Sequence, residues 1–253
     1  MEFLLIIIGF CSGMISGLFG LGGGTLIVPL MLSFGMGIQH SIGISVVQMI
    51  FASLFGSILN LKNKTFEIKE GVILGLGGLV GASFSGIVLG FISDFLLTFL
   101  FLLVIIYSFL KFLMKKDNPE DKKLETNQHK KIVLFLAGSL TGVFAISLGI
   151  GGGLLIVPIL GYYLGYNTKK STALSLFFII FSSISGSISL FVNHIINLEV
   201  IQKGSIIGIA SLVGVSVGIY LVQRISLKIH KVFLLIMYTF SMSLTTFHLL
   251  ERL

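Results

Sequence analysis

From Phe3 to Leu61 the sequence contains no aspartate, glutamate, lysine or arginine. A soluble globule must clothe its core in polar residues, and a stretch like this supplies almost none. The remainder repeats the pattern, with apolar runs of roughly twenty residues separated by short charged clusters. Charged residues make up 11% of the 253 and hydrophobic residues 55%, against roughly 25% charged in ordinary soluble domains. Composition therefore excludes a soluble enzyme, a disordered chain and a nucleic-acid-binding domain. The runs are continuously apolar rather than alternating, and isolated strands would leave their backbone unpaired in lipid. The reading is an all-α, polytopic membrane protein.

Hydropathy places spans at 3–20, 25–38, 40–61, 69–91, 95–114, 132–149, 154–166, 171–193, 200–222 and 230–249, about ten transmembrane helices. Residues 1–114 then form a first five-helix repeat, 115–131 a polar cytoplasmic linker, and 132–253 a second five-helix repeat. With the linker in the cytoplasm, all of the 17 lysines and arginines except Lys203 and Arg252 fall on the cytoplasmic side. That asymmetry predicts both termini on the periplasmic side. It is unchanged if spans one and two form a re-entrant hairpin, so both arrangements stay open. The net charge of +7 thus sets topology and does not mark a nucleic-acid partner. Cys11, the one cysteine, reads as a small packing residue, and no disulfide can form within the chain. The first apolar stretch lacks a basic leader and reads as a retained span.

The two halves repeat each other. Gly17–Met31 reads GLFGLGGGTLIVPLM and Ser147–Leu160 reads SLGIGGGLLIVPIL. Gly22, Gly23 and Gly24 align with Gly151, Gly152 and Gly153, and Pro29 aligns with Pro158. Ser45 matches Ser175, and Gly71 and Gly75 match Gly204 and Gly208. Five spans is an odd number, so the second repeat is expected upside down relative to the first. Inverted repeats place a transporter's binding site near the bilayer midplane, at the repeat interface, on discontinuous helices.

Three consecutive glycines break a helix. A proline a few residues later is tolerated near a helix start. Each motif therefore predicts one helix ending and another beginning, at Gly24/Thr25 and at Gly153/Leu154. Helix starts expose unpaired N–H groups and a positive dipole end, where a small anion can approach bare backbone. Gly22, Gly23, Gly24, Thr25, Gly151, Gly152 and Gly153 are the expected anion ligands. Valine at Gly23 or Gly152 is expected to block the anion while leaving the fold intact. The scattered pairs Gly13/Gly17, Gly71/Gly75, Gly138/Gly142, Gly204/Gly208 and Gly214/Gly218 read as helix-packing positions.

No acidic residue falls deep within a span, which suits an anion and argues against a carboxylate proton relay. Ser41, Ser45 and Gln48 share one helix face, as do Ser171 and Ser175. Of these, Ser45, Gln48 and Ser175 complete the expected substrate site. His40, His129, His194, His230 and His248 are scattered, so no metal site is expected. Neither a nucleophile–base pair nor a phosphate loop is present, so neither catalysis nor a cofactor is expected.

The duplicated GLGGGTLIVP and GIGGGLLIVP motifs, together with ten short spans, resemble the sulfite exporter TauE/SafE family, over 3–250. The match is looser at Ser41, Gly43, Ser45 and Ser171, Ala173, Ser175. The resemblance implies a secondary transporter or facilitator of small organosulfur or sulfur oxyanions, such as sulfite or sulfonates, in the bacterial cytoplasmic membrane. Its expected partners are that anion and the lipid bilayer, with no nucleic acid, and a homo-oligomer stays open. Two alternatives stay open: a drug/metabolite-type ten-helix exporter and a non-transporting membrane accessory subunit.

Overall fold

A computed structural model describes residues 2–114 and 127–250. Most of the expected linker, residues 115–126, lies outside the described residues. Its last positions are already helical, because α7 begins at Asn127. In chain order the helices are α1 (Glu2–Phe19), α2 (Gly24–Ser33), α3 (Ile38–Lys62), α4 (Ile68–Ala82), α5 (Ser85–Phe91), α6 (Asp94–Met114), α7 (Asn127–Ser147), α8 (Gly153–Tyr163), α9 (Thr168–Val192), α10 (Leu198–Arg224) and α11 (Leu227–Leu250).

Among the described residues, seven segments are long and apolar enough to cross a membrane: α1, α3, α4 with α5, α9, α10, and the greater parts of α7 and α11. The expectation of about ten transmembrane helices is met in part: α6, of 21 residues, adds a further apolar helix over Asp94–Leu110, whereas α2 and α8 are short. With 10 and 11 residues, α2 and α8 rise only about 15 Å each, half of a hydrocarbon core of about 30 Å. The hydropathy of 25–38 and 154–166 is real, but it continues past the helix ends into loop. The expected fourth span is also broken, at Ser83–Phe84. There the Ser83 and Ser85 hydroxyls donate to the carbonyls of Val80 and Ala82, both at 2.7 Å, and Ser189 of α9 donates to the Ser83 carbonyl at 2.7 Å. Hydroxyls that bond back onto a helix compete with its own ladder and bend it. The corresponding segment of the second half, α10, runs unbroken.

The helices pack in reciprocal pairs. α1 lies along α10, and α7 lies along α4. α3 packs on α9 and α10, α4 on α9, and α6 on α11. The two longest interfaces are backbone against backbone. A Cβ at Gly13 would collide with the carbonyl of Ser211, and one at Gly138 with that of Leu74. Outside, large apolar side chains stand exposed, including Phe91 at 87% and Leu198 at 71%. A continuous apolar exterior marks a surface meant for a non-aqueous neighbour.

Candidate functional site

The glycine motifs do end one helix and begin another. α1 stops at Phe19 and α2 starts at Gly24; α7 stops at Ser147 and α8 starts at Gly153. In the first loop Gly20, Gly22 and Gly23 have φ of 69°, 74° and 80°. These left-handed values cost little only for glycine. In the second loop Gly149 and Gly151 match, at 64° and 77°. Gly152 differs, with φ −68°.

The loops lie against each other. A Cβ at Gly22 would stand 3.3 Å from the Gly151 Cα, and one at Gly24 would collide with the Gly149 carbonyl. Two crossed hydrogen bonds tie them to the opposite half. Ser45 of α3 donates to the Gly149 carbonyl at 2.8 Å, and Ser175 of α9 donates to the Gly20 carbonyl at 2.8 Å. All ten residues expected at the site are thereby gathered around one locus: Gly22, Gly23, Gly24, Thr25, Ser45, Gln48, Gly151, Gly152, Gly153 and Ser175. Ser41 and Ser171 are not part of it, since their hydroxyls bond locally to the carbonyls of Gly37 and Tyr166.

The helix starts are buried and rich in unused donors. Among the described residues, none accepts from the amides of Gly24, Thr25, Gly153 or Leu154. Four orphan N–H groups are intrinsic to any helix start, but burial without a partner is costly. Further along α2, Pro29 has no N–H to offer the Thr25 carbonyl one turn back. Ser241 of α11 donates to that carbonyl instead, which anchors the short helix. The Thr25 hydroxyl lies 3.9 Å from the Met237 sulfur.

Gln48 is fully buried, and neither its Nε2 nor its Oε1 has a partner. Its Oε1 would lie 3.0 Å from a Cβ at Gly23, beside the Ser12 Cβ and carbonyl, each at 3.1 Å. Two buried hydroxyls that sequence reasoning passed over are also unpartnered. Ser16 lies one turn beyond Ser12 on α1, and Thr172 of α9 abuts Gly20 through its backbone and methyl group. The i,i+4 spacing of Ser12 and Ser16 was a legible signal; Thr172 offered none, because it reaches the loop from the other half. Ser147, at the end of α7, is unpartnered as well.

The expectation that valine at Gly23 or Gly152 would leave the fold intact is revised. At Gly23 any side chain is strained by the positive φ. At Gly152 a Cβ would collide with the Phe178 ring.

Glu70 was expected at a span end, and it does occupy the first turn of α4, but it is buried. It pairs with Lys130 of α7 and, at 2.8 Å, with Lys170 of α9. The Lys170 ammonium also sits 4.0 Å over the Tyr166 ring. The lysines reach Glu70 from the second half, so no local pattern in the sequence announces the cluster.

The chain is similar in sequence to known membrane transporters. The family described as Sulfite exporter TauE/SafE matches residues 5–244. A probable membrane transporter protein of Methanocaldococcus jannaschii is 34% identical, over 74% of this chain and 71% of its own length. The probable membrane transporter proteins YunE and YdhB of Bacillus subtilis are each 28% identical; the matches span 77% and 91% of this chain and 80% and 93% of theirs. No solved structure matches.

Proposed function

The chain belongs to the sulfite exporter TauE/SafE family of membrane transporters, and on that premise we propose that it carries a small sulfur or organosulfur oxyanion, such as sulfite or a sulfonate, as a secondary transporter or facilitator. The observation that carries this reading is the meeting of two buried helix starts, at Gly24 and Gly153, whose amides have no acceptor in the chain. Buried donors without partners are a standing cost that an anion would relieve. Helix N-termini favour negative charge, by about 0.3–2 kcal/mol each. Modest affinity of this kind suits a carrier that must release its cargo.

Two inverted halves are the arrangement we favour. The reciprocal pairing of α1 with α10 and of α7 with α4 supports it. So do the crossed bonds from Ser45 and Ser175. In this reading α2 and α8 are half-helices of re-entrant hairpins that meet at the glycine loops. With α1–α2 and α7–α8 as hairpins, α3, α4 with α5, α6, α9, α10 and α11 are the full crossings, so both termini lie on the outer side of the cytoplasmic membrane and the basic residues near 115–131 on the inner side.

The test is flux into proteoliposomes with a panel of sulfite, sulfoacetate, taurine and thiosulfate. Saturable uptake of at least one anion is expected, with no uptake of a cation of similar size. If none of the panel moves in protein that unfolds cooperatively, the transport reading of the glycine loops fails.

A further inference from the structure

The two glycine loops have unlike surroundings. Gln48 stands beside Gly23, Thr172 beside Gly20, and Ser16 lies on the adjoining face of α1. The repeat maps these three positions onto Phe178, Ile42 and Ala145. Those residues surround the second loop: the Phe178 ring fills the space beside Gly152, and Ile42 lies 3.1 Å from a Cβ at Gly149. Ala145 is fully buried, as are Phe178 and Ile42. Each buried polar group without a partner around the first loop is thus an apolar group around the second, with Ser147 the exception on that side.

We infer that the substrate is held by the first loop alone, by the amides of Gly24 and Thr25 with Gln48, Ser16 and Thr172, and that this uncharged donor set selects singly charged oxyanions over doubly charged ones. The inference rests on the transport reading above, narrows its two helix starts to the one at Gly24, and adds the charge of the cargo.

The argument for the side is chemical. An oxyanion accepts hydrogen bonds and offers few or none. The first loop supplies two backbone donors and an amide that a half-turn about its last torsion can present as Nε2, and the Ser16 and Thr172 hydroxyls are buried without partners on the helices beside it. The second loop supplies two backbone donors and the Ser147 hydroxyl, with an aromatic ring against Gly152. The argument for the charge is electrostatic. Among the described residues no lysine or arginine is buried. The Glu70 cluster already pairs its lysines with a carboxylate. The cost of removing an ion from water rises with the square of its charge, whereas attraction to neutral dipoles rises only linearly. Without a buried cation, the second negative charge costs more than the donors return.

Binding of methanesulfonate, a permanent monoanion, and of sulfate, a dianion, is measured by calorimetry at equal ionic strength on the purified full chain. Methanesulfonate is expected to bind at least about tenfold more tightly. Gln48→Met, which keeps the volume and removes the amide, is expected to weaken methanesulfonate at least about tenfold while the melting temperature holds. Thr172→Val reports on the same site should Gln48→Met fail to fold. Ser147→Ala, on the second side, is expected to leave binding unchanged. Sulfate binding as tightly as methanesulfonate overturns the charge preference. Unchanged affinity in both Gln48→Met and Thr172→Val overturns the one-sided site. If the flux panel shows saturable transport alongside either result, the transport reading survives without this inference. Absence of any anion flux overturns both.

Discussion

The first glycine loop is bordered by Gln48, Thr172 and Ser16, and the second by Phe178, Ile42 and Ala145. The loops are alike in sequence, in the helix that each begins, and in the serine that bonds each to the opposite half. They differ in which side chains face the bare backbone. A duplicated motif can therefore preserve a scaffold in both copies while the polarity of its surroundings differs between them. The same contrast appears in the backbone itself. Gly23 is held at φ 80°, whereas Gly152 sits at φ −68° against an aromatic ring.

Three stability measurements would break or sharpen this contrast, and the largest effect concerns what the loops share. Gly24→Ala and Gly153→Ala each push a methyl group into backbone of the opposite loop, at the Gly149 and Gly20 carbonyls. Neither carbonyl can yield without moving a bonded helix. Each substitution should cost about 3 kcal/mol, the upper part of the range for overpacking, read as a lowered melting temperature in detergent. A large loss at one glycine and none at the other would show that the loops are not equivalent as scaffold.

A middle-sized effect is expected at the crossed serines. Ser45→Ala and Ser175→Ala each leave a buried carbonyl without its donor, at a cost of about 1–3 kcal/mol. The two costs should agree to within about 0.5 kcal/mol, because the two bonds have the same length and both serines are fully buried. Clearly unequal melting temperatures would argue that one serine does more than hold a loop.

The smallest effect is expected at Gln48. Its amide atoms have no partner to lose, so Gln48→Met should leave stability within about 0.5 kcal/mol of the parent or raise it. A polar residue whose removal costs nothing in stability is retained for another reason. Strong destabilisation by Gln48→Met would instead identify a structural amide and remove the first loop's distinction.

Much of this molecule was legible in the residues. The charge-free stretch before Lys62 fixes the membrane class, because lipid admits helices and excludes open strands. Gly22–Gly24 and Gly151–Gly153 fix the chain breaks, because a run of glycines cannot hold a helix together. Hydropathy misjudged residues 34–37 and the segment after Tyr163. It measures the preference of side chains for lipid and is blind to where the backbone stops coiling. The break at Ser83–Phe84 was hidden for a related reason. Serine alone is ambiguous, and Ser189 from another helix helps to hold the break open.

Sequence by itself determined the solvent, the helical class and the places where helices begin, since each depends on residues adjacent in the chain. Only the tertiary structure decided which polar groups are free to act. Ser45 and Gln48 lie one turn apart on α3, and composition treats them alike. Ser45 gives its proton to Gly149, more than a hundred residues away, while Gln48 meets no partner at all. Glu70 is buried because Lys130 and Lys170 close over it from other helices. A hydrogen bond or an ion pair needs its partner within about 3–4 Å, and which residues come that close is set by the packing of helices across the two halves.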